Sequence, residues 1–177
     1  MGMKKAIRCV ICVLYVFLLL LIQTTVLDSV RIFGIMPNLL LVAVICFSLL
    51  TADYRGLVFG IACGLLLDIT GGRLIGLNTL FCTYVSFGVI WICDRLYNNN
   101  EIVAAIFTFV ITFLYSLLFY VFNFLIWGEG DILFVLLRKI LPEMLYNTIL
   151  AIFIYPLSKF VLRGSRKKRK KKNEAFI

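Results

Sequence analysis

The chain has 177 residues, 63% of them apolar and 15% charged, with a mean hydropathy of +1.05 and no histidine. Soluble domains carry about 25% charged residues, so the membrane is the solvent here and a soluble enzyme is excluded. The missing histidine removes the usual general base, the commonest metal ligand and every histidine-based triad.

The hydrophobic pattern predicts an all-α polytopic membrane protein, a compact bundle of about six transmembrane helices. One transmembrane domain covers residues 1–162, and a basic tail covers 163–177. The predicted spans are Ala6 to Leu27, Ile35 to Leu50, Gly56 to Ile69, Leu74 to Ile92, Ile102 to Trp127 and Ile140 to Leu162. At about 1.5 Å per residue the second and third reach only some 20 to 25 Å, short of a hydrocarbon layer about 30 Å thick. They must tilt, thin the bilayer, join neighbours through protein-lined irregular backbone, or form a re-entrant pair.

The first span follows Lys4, Lys5 and Arg8, and lacks the small-residue cleavage pattern of a secretory signal, so it is read as a retained helix. Eight basic residues between Arg163 and Lys172 follow the last span. Both termini are therefore expected in the cytoplasm of a multi-pass inner-membrane protein. That orientation puts Asp53-Tyr54-Arg55 and Asp94 to Glu101 inside, with Asp28 to Gly34, the Gly71-Gly72-Arg73 turn and the Gly128 to Lys139 loop outside. Hydrated ion pairing accounts for Asp53 with Arg55 and for Asp94 with Arg95.

Six cysteines lie in or beside apolar runs and give no disulfide framework; Cys9-x-x-Cys12 reads as packing. Pro37 and Pro142 fall near helix starts, where the missing amide hydrogen is tolerated. Asn38 caps or pairs locally, while Pro156 should bend its helix or open a hydrogen bond. The aromatic residues from Phe107 to Phe124 occupy several helical faces and read as packing and lipid contact.

Gly56, Gly60 and Gly64 recur every four residues, with Asp68 one step further. This spacing makes a smooth helix-interaction face ending in a carboxylate. It serves either internal packing or docking of another subunit. A carboxylate at hydrocarbon depth needs polar surroundings, so Asp68 is expected to meet a polar cluster drawn from Arg73, Asn78, Arg138, Glu143 and Asn147. A proton or solute site is the alternative.

The run Arg166, Lys167, Lys168, Arg169, Lys170, Lys171 and Lys172 is read as a lipid contact, because such a run beside a membrane helix attracts anionic phospholipid. It has no aromatic interleaving and no recognition domain, so nucleic acid is not an expected partner.

Read together, Pro37-Asn38-Leu39-Leu40-Leu41, Gly60, Gly64-Leu65-Leu66-Leu67-Asp68, Gly76, Arg138, Pro142, Asn147, Tyr155 and Pro156 resemble, in order, the rod shape-determining MreD family of bacterial inner membrane proteins. The resemblance covers Ala6 to Leu162. It implies a non-enzymatic component of the elongation machinery, without cofactors. The implied partners are an MreC-like bitopic scaffold and, in the wider complex, MreB-like actin and a SEDS glycosyltransferase with its transpeptidase. The family fold is similar to the membrane component of energy-coupling-factor transporters, and a small-solute-binding component of such a transporter is the alternative function.

Overall fold

The computed structural model describes residues 3–27, 35–51, 53–71, 76–96, 100–127 and 136–162. Among these residues the regular elements are six α-helices, two of them extended by a π-helical turn. Helix α1 is Met3–Leu21 and runs into a π-turn at Ile22–Val26. Then come α2, Leu39–Thr51; α3, Tyr54–Gly71; α4, Leu77–Leu96; and α5, Glu101–Trp127. A second π-turn at Leu136–Ile140 leads into α6, Leu141–Val161.

Helix α2 organises the bundle. It is apolar on every side, the pattern of a helix enclosed by protein, and Leu39 through Leu49 are all buried. Each of the other five helices packs on it. With 13 residues it is about 20 Å long. It needs no match to the bilayer, because the non-helical backbone from Ile35 to Asn38 that completes its depth is enclosed by protein rather than lipid. The third helix is longer than its predicted span, gaining two residues at each end, and is long and apolar enough to cross a membrane. The same holds for Glu101–Phe122 and for the continuous Leu136–Val161 segment.

The most extensive pairing is α3 with α4, followed by α5 with α6 and α2 with α6. Between α2 and α3, Phe47 and Phe59 stack with ring centroids 4.0 Å apart. Helix α1 is the outlying element: it packs through Tyr15, Val16 and Leu19, while Val10, Val13, Leu14 and Phe17 are exposed. Its mid-helix anchor is a 2.8 Å hydrogen bond between the Tyr15 and Ser158 hydroxyls.

Both π-turns have local chemical causes. In the first, the hydroxyls of Thr24 and Thr25 donate to the carbonyls of Leu20 and Leu21, competing with the ordinary helix ladder. In the second, Pro142 follows at once; it has no N–H to give the preceding turn and its ring crowds the carbonyl four residues back, which widens the backbone there. Arg138 and Lys139, expected in a loop, are therefore on helical backbone. Helix α6 runs five residues past Pro156, whose ring is exposed. The expected pair of Asp53 and Arg55 forms at 3.9 Å with both side chains near half exposure, so it contributes little.

Candidate functional site: a polar lock at one end of the bundle

Two helix starts, those of α4 and α2, draw capping groups from elsewhere in the chain. The N-cap of α4 is Gly76, whose carbonyl accepts from Leu80 N–H. Its φ of +99° lies in the left-handed region that glycine tolerates. A glycine has no side chain with which to satisfy the next N–H groups. Asp68 of α3 does so across the hairpin: Oδ1 accepts from Asn78 N–H at 3.0 Å, and Oδ2 accepts from Thr79 N–H at 3.0 Å and from the Thr79 hydroxyl at 2.5 Å. A buried carboxylate is thus held at a helix N-terminus, where the macrodipole also favours negative charge.

The N-terminus of α2 is treated likewise. Asn38 is its N-cap, with its carbonyl accepting from Val42 N–H and its Oδ1 from Leu41 N–H at 3.0 Å. Leu40 N–H donates 3.1 Å to Oε1 of Gln23, which the first π-turn turns inward. Asn38 N–H donates 2.9 Å to Oδ1 of Asn147 on α6. Three side-chain oxygens from three parts of the chain therefore satisfy one helix start.

Tyr115 of α5 joins the two caps. Its hydroxyl donates 2.5 Å to Oδ1 of Asn78, and the Asn38 side chain lies near it. Beside it, the Ser116 hydroxyl donates 3.2 Å to Glu143 Oε2. The result is a polar lock of two adjoining halves: Asp68, Asn78 and Tyr115 tie α3, α4 and α5, Asn38 and Asn147 tie α2 and α6, and the Tyr115 hydroxyl and Asn38 side chain bring the halves together.

Of the expected cluster, Asn78 is thus beside Asp68, Asn147 is reached through Tyr115 and Asn38, and Glu143 borders the lock through Ser116. Arg138 is exposed on the π-turn ahead of α6. Arg73 and the tail from Arg166 to Lys172 lie outside the described residues. Tyr115, expected with its aromatic neighbours to serve packing and lipid contact, is instead buried with its hydroxyl bonded in the lock, and Gln23, Thr79 and Ser116 join it without standing out in the apolar pattern. The signal for Thr79 was the Gly76-Leu77-Asn78-Thr79 order: a helix start whose own N-cap cannot bond, a few residues beyond an acidic side chain.

The glycine face is occupied by this chain's own helices. A Cβ built on Gly64 falls 2.5 Å from Thr79 Cα and 2.9 Å from the Asn78 carbonyl oxygen, both in α4. One on Gly60 lands on the Ser86 hydroxyl and 2.9 Å from the Cys82 carbonyl oxygen, also in α4. One on Gly56 meets Thr51 and Ser48 at the end of α2. Close approach at Gly64 brings α4 near enough for Asp68 to reach its first turn.

Asn147 Nδ2 is buried with no partner among the described residues. Asn147→Leu therefore removes an unsatisfied donor while leaving Asn38 N–H without its acceptor. These effects oppose, and the expected net loss is about 1 kcal/mol, well below that for Asp68. Thermal unfolding of the purified protein measures it.

The arrangement defines a polytopic helical membrane protein whose intramembrane polar groups bind its own helices to one another. A family model described as rod shape-determining protein MreD matches residues 3–163, nearly all of the helical unit. The chain belongs to the MreD family, and its role is in rod shape determination. No curated protein and no solved structure matches it.

Proposed function

We propose that this protein is the non-enzymatic membrane component of the bacterial rod elongation complex, supporting peptidoglycan synthesis by helix-mediated assembly with an MreC-like scaffold. MreB-like actin and the SEDS glycosyltransferase with its transpeptidase belong to the wider complex. The protein sits in the inner membrane with both termini cytoplasmic. The observation that carries this reading is family membership extending over 3–163, so that all six helices belong to the matched unit. The acceptor oxygens of the polar lock take donors from the chain itself, and no observation favours the solute-binding alternative.

Because α4 and the end of α2 fill the glycine face, a scaffold helix would dock on a lipid-facing surface. Photo-crosslinking probes at Phe17 of α1 and Leu118 of α5, both exposed, and at Gly60 test this in native membranes. Capture of the scaffold at an exposed position, own-chain capture at Gly60 and loss of rod form on depletion are expected. Normal rods after depletion, with no scaffold captured at any exposed probe, would overturn the proposal.

A further inference from the structure

Among the described residues, four buried side-chain atoms lack a hydrogen-bond partner: Ser48 Oγ, Ser86 Oγ, Thr112 Oγ1 and Asn147 Nδ2. The two serines stand against Gly56 and Gly60, where rotation about one bond returns a hydroxyl to its own helix. The other two fall at one level of the α5–α6 pair. These helices are joined across residues 128–135 and pack extensively, so they run antiparallel. Ser116 of α5 bonds Glu143 of α6 at 3.2 Å. One turn back from Ser116 is Thr112, and one turn on from Glu143 is Asn147, so the same register brings these two fully buried residues to one level. We propose that a water molecule is bound there, accepting from Asn147 Nδ2 and donating to Thr112 Oγ1, and that it joins the two halves of the polar lock.

Asn147 cannot satisfy this donor by turning over. Its Oδ1 is committed to Asn38 N–H at 2.9 Å, and a flipped amide would set an NH2 group against that N–H. On α5, Thr108 turns its hydroxyl to the Ala104 carbonyl at 2.8 Å and Ser116 serves Glu143, while Thr112 between them is left over. The occupant must be small, because neither Thr112 nor Asn147 has any exposed surface through which a solute could enter. At the next level the register sets Thr108 by Ala151, both short and fully buried, which relieves the interface beside the site. An enclosed polar gap with two convergent partners is where an internal water binds, whereas an apolar gap of the same size stays dry. The water would tie Asn147, and through it Asn38 of α2, to α5. Asn147→Leu then breaks this bridge as well, and costs more than its chain contacts alone imply. This inference does not rest on the elongation role.

Thr112→Val tests it, since valine keeps the branched shape and removes the hydroxyl. In a dry site the substitution discards an unsatisfied group and leaves the midpoint of thermal unfolding unchanged or raised. With the water bound it removes one of that molecule's two partners, and the midpoint of the full chain in detergent should fall by about 2–4 °C. In an Asn147→Leu background the bridge is already gone, so adding Thr112→Val should lower the midpoint no further. A crystal structure of the full chain, at a resolution that shows internal waters, separates a bridging water from a direct bond: density is expected within hydrogen-bond reach of both atoms. The wild-type structure decides the matter if the valine variant does not fold. An unchanged or raised midpoint for Thr112→Val, a gap without density, or Thr112 Oγ1 bonded straight to Asn147 Nδ2 would each overturn the proposal.

Discussion

Asp68→Ala is expected to cost about 3–5 kcal/mol and to lower the midpoint of thermal unfolding by on the order of 10 °C. The substitution removes the acceptor for Asn78 N–H, Thr79 N–H and the Thr79 hydroxyl together. In water an uncapped helix start is rehydrated at modest cost. Here Asn78 is buried and its side chain is held by Tyr115, so its freed N–H has no ready solvent, while the Thr79 donors are part-buried. The damage should spread beyond α4, because Asn78 is the link by which Tyr115 joins the hairpin to the rest of the lock. Asp68→Asn keeps an acceptor oxygen but turns an NH2 towards donors, and should fall between wild type and alanine. Arg55→Ala, at an exposed side chain that pairs with Asp53 and lies over the Tyr54 ring, should lie within about 0.5 kcal/mol of wild type. Fluorescence-detected size exclusion of heated, detergent-solubilised protein ranks all three. Equal melting of Asp68→Ala and Arg55→Ala would show that the cap does not hold the hairpin.

The helices were legible because long apolar runs separated by short charged breaks leave few alternatives in a bilayer. All six spans have a matching helix, with differences at their ends. The second helix starts at Leu39 rather than Ile35 because Pro37 and Asn38 form its entry, and the last is preceded by helical backbone because Pro142 widens a turn instead of beginning one. Less legible was the enclosure of α2. An apolar run of 13 residues reads equally as a short lipid-facing span, and only packing by five neighbours tells them apart. The polar lock was partly legible. Asp68, Asn78 and Asn147 stand out because polar groups in apolar helices need partners. Which partner each finds depends on the depth at which helices distant in sequence meet, as with Tyr115 and Asn78, 37 residues apart, or Asn38 and Asn147, 109 apart. Backbone N–H groups at a helix start are also invisible as candidate partners until the start is known. Attention to side-chain pairs alone therefore passes over the main donors to Asp68.

Gly64→Ala is expected to be the most damaging of the three glycine substitutions, at about 3 kcal/mol, because the added carbon meets backbone rather than a movable side chain. With Thr79 Cα at 2.5 Å, α4 must move away from α3, and Thr79 is also a donor to Asp68. Steric separation and loss of the cap are thus one event seen from two residues. Once Asp68→Ala has released the first turn of α4, Gly64→Ala should cost less than it does alone, leaving a coupling of about 1–2 kcal/mol in a double-mutant cycle. Gly56→Ala should be milder, its nearest contact being the Thr51 hydroxyl at 2.9 Å. Gly88→Ala in α4 is the control: its Cβ meets nothing within 4 Å, and replacing a mid-helix glycine favours the helix by about 1 kcal/mol. Additive losses for Gly64 and Asp68 would mean that the glycine face and the carboxylate stabilise the hairpin independently. Coupled losses with a neutral or stabilising Gly88→Ala would make the four-residue glycine repeat the spacer that lets one acidic side chain start the neighbouring helix.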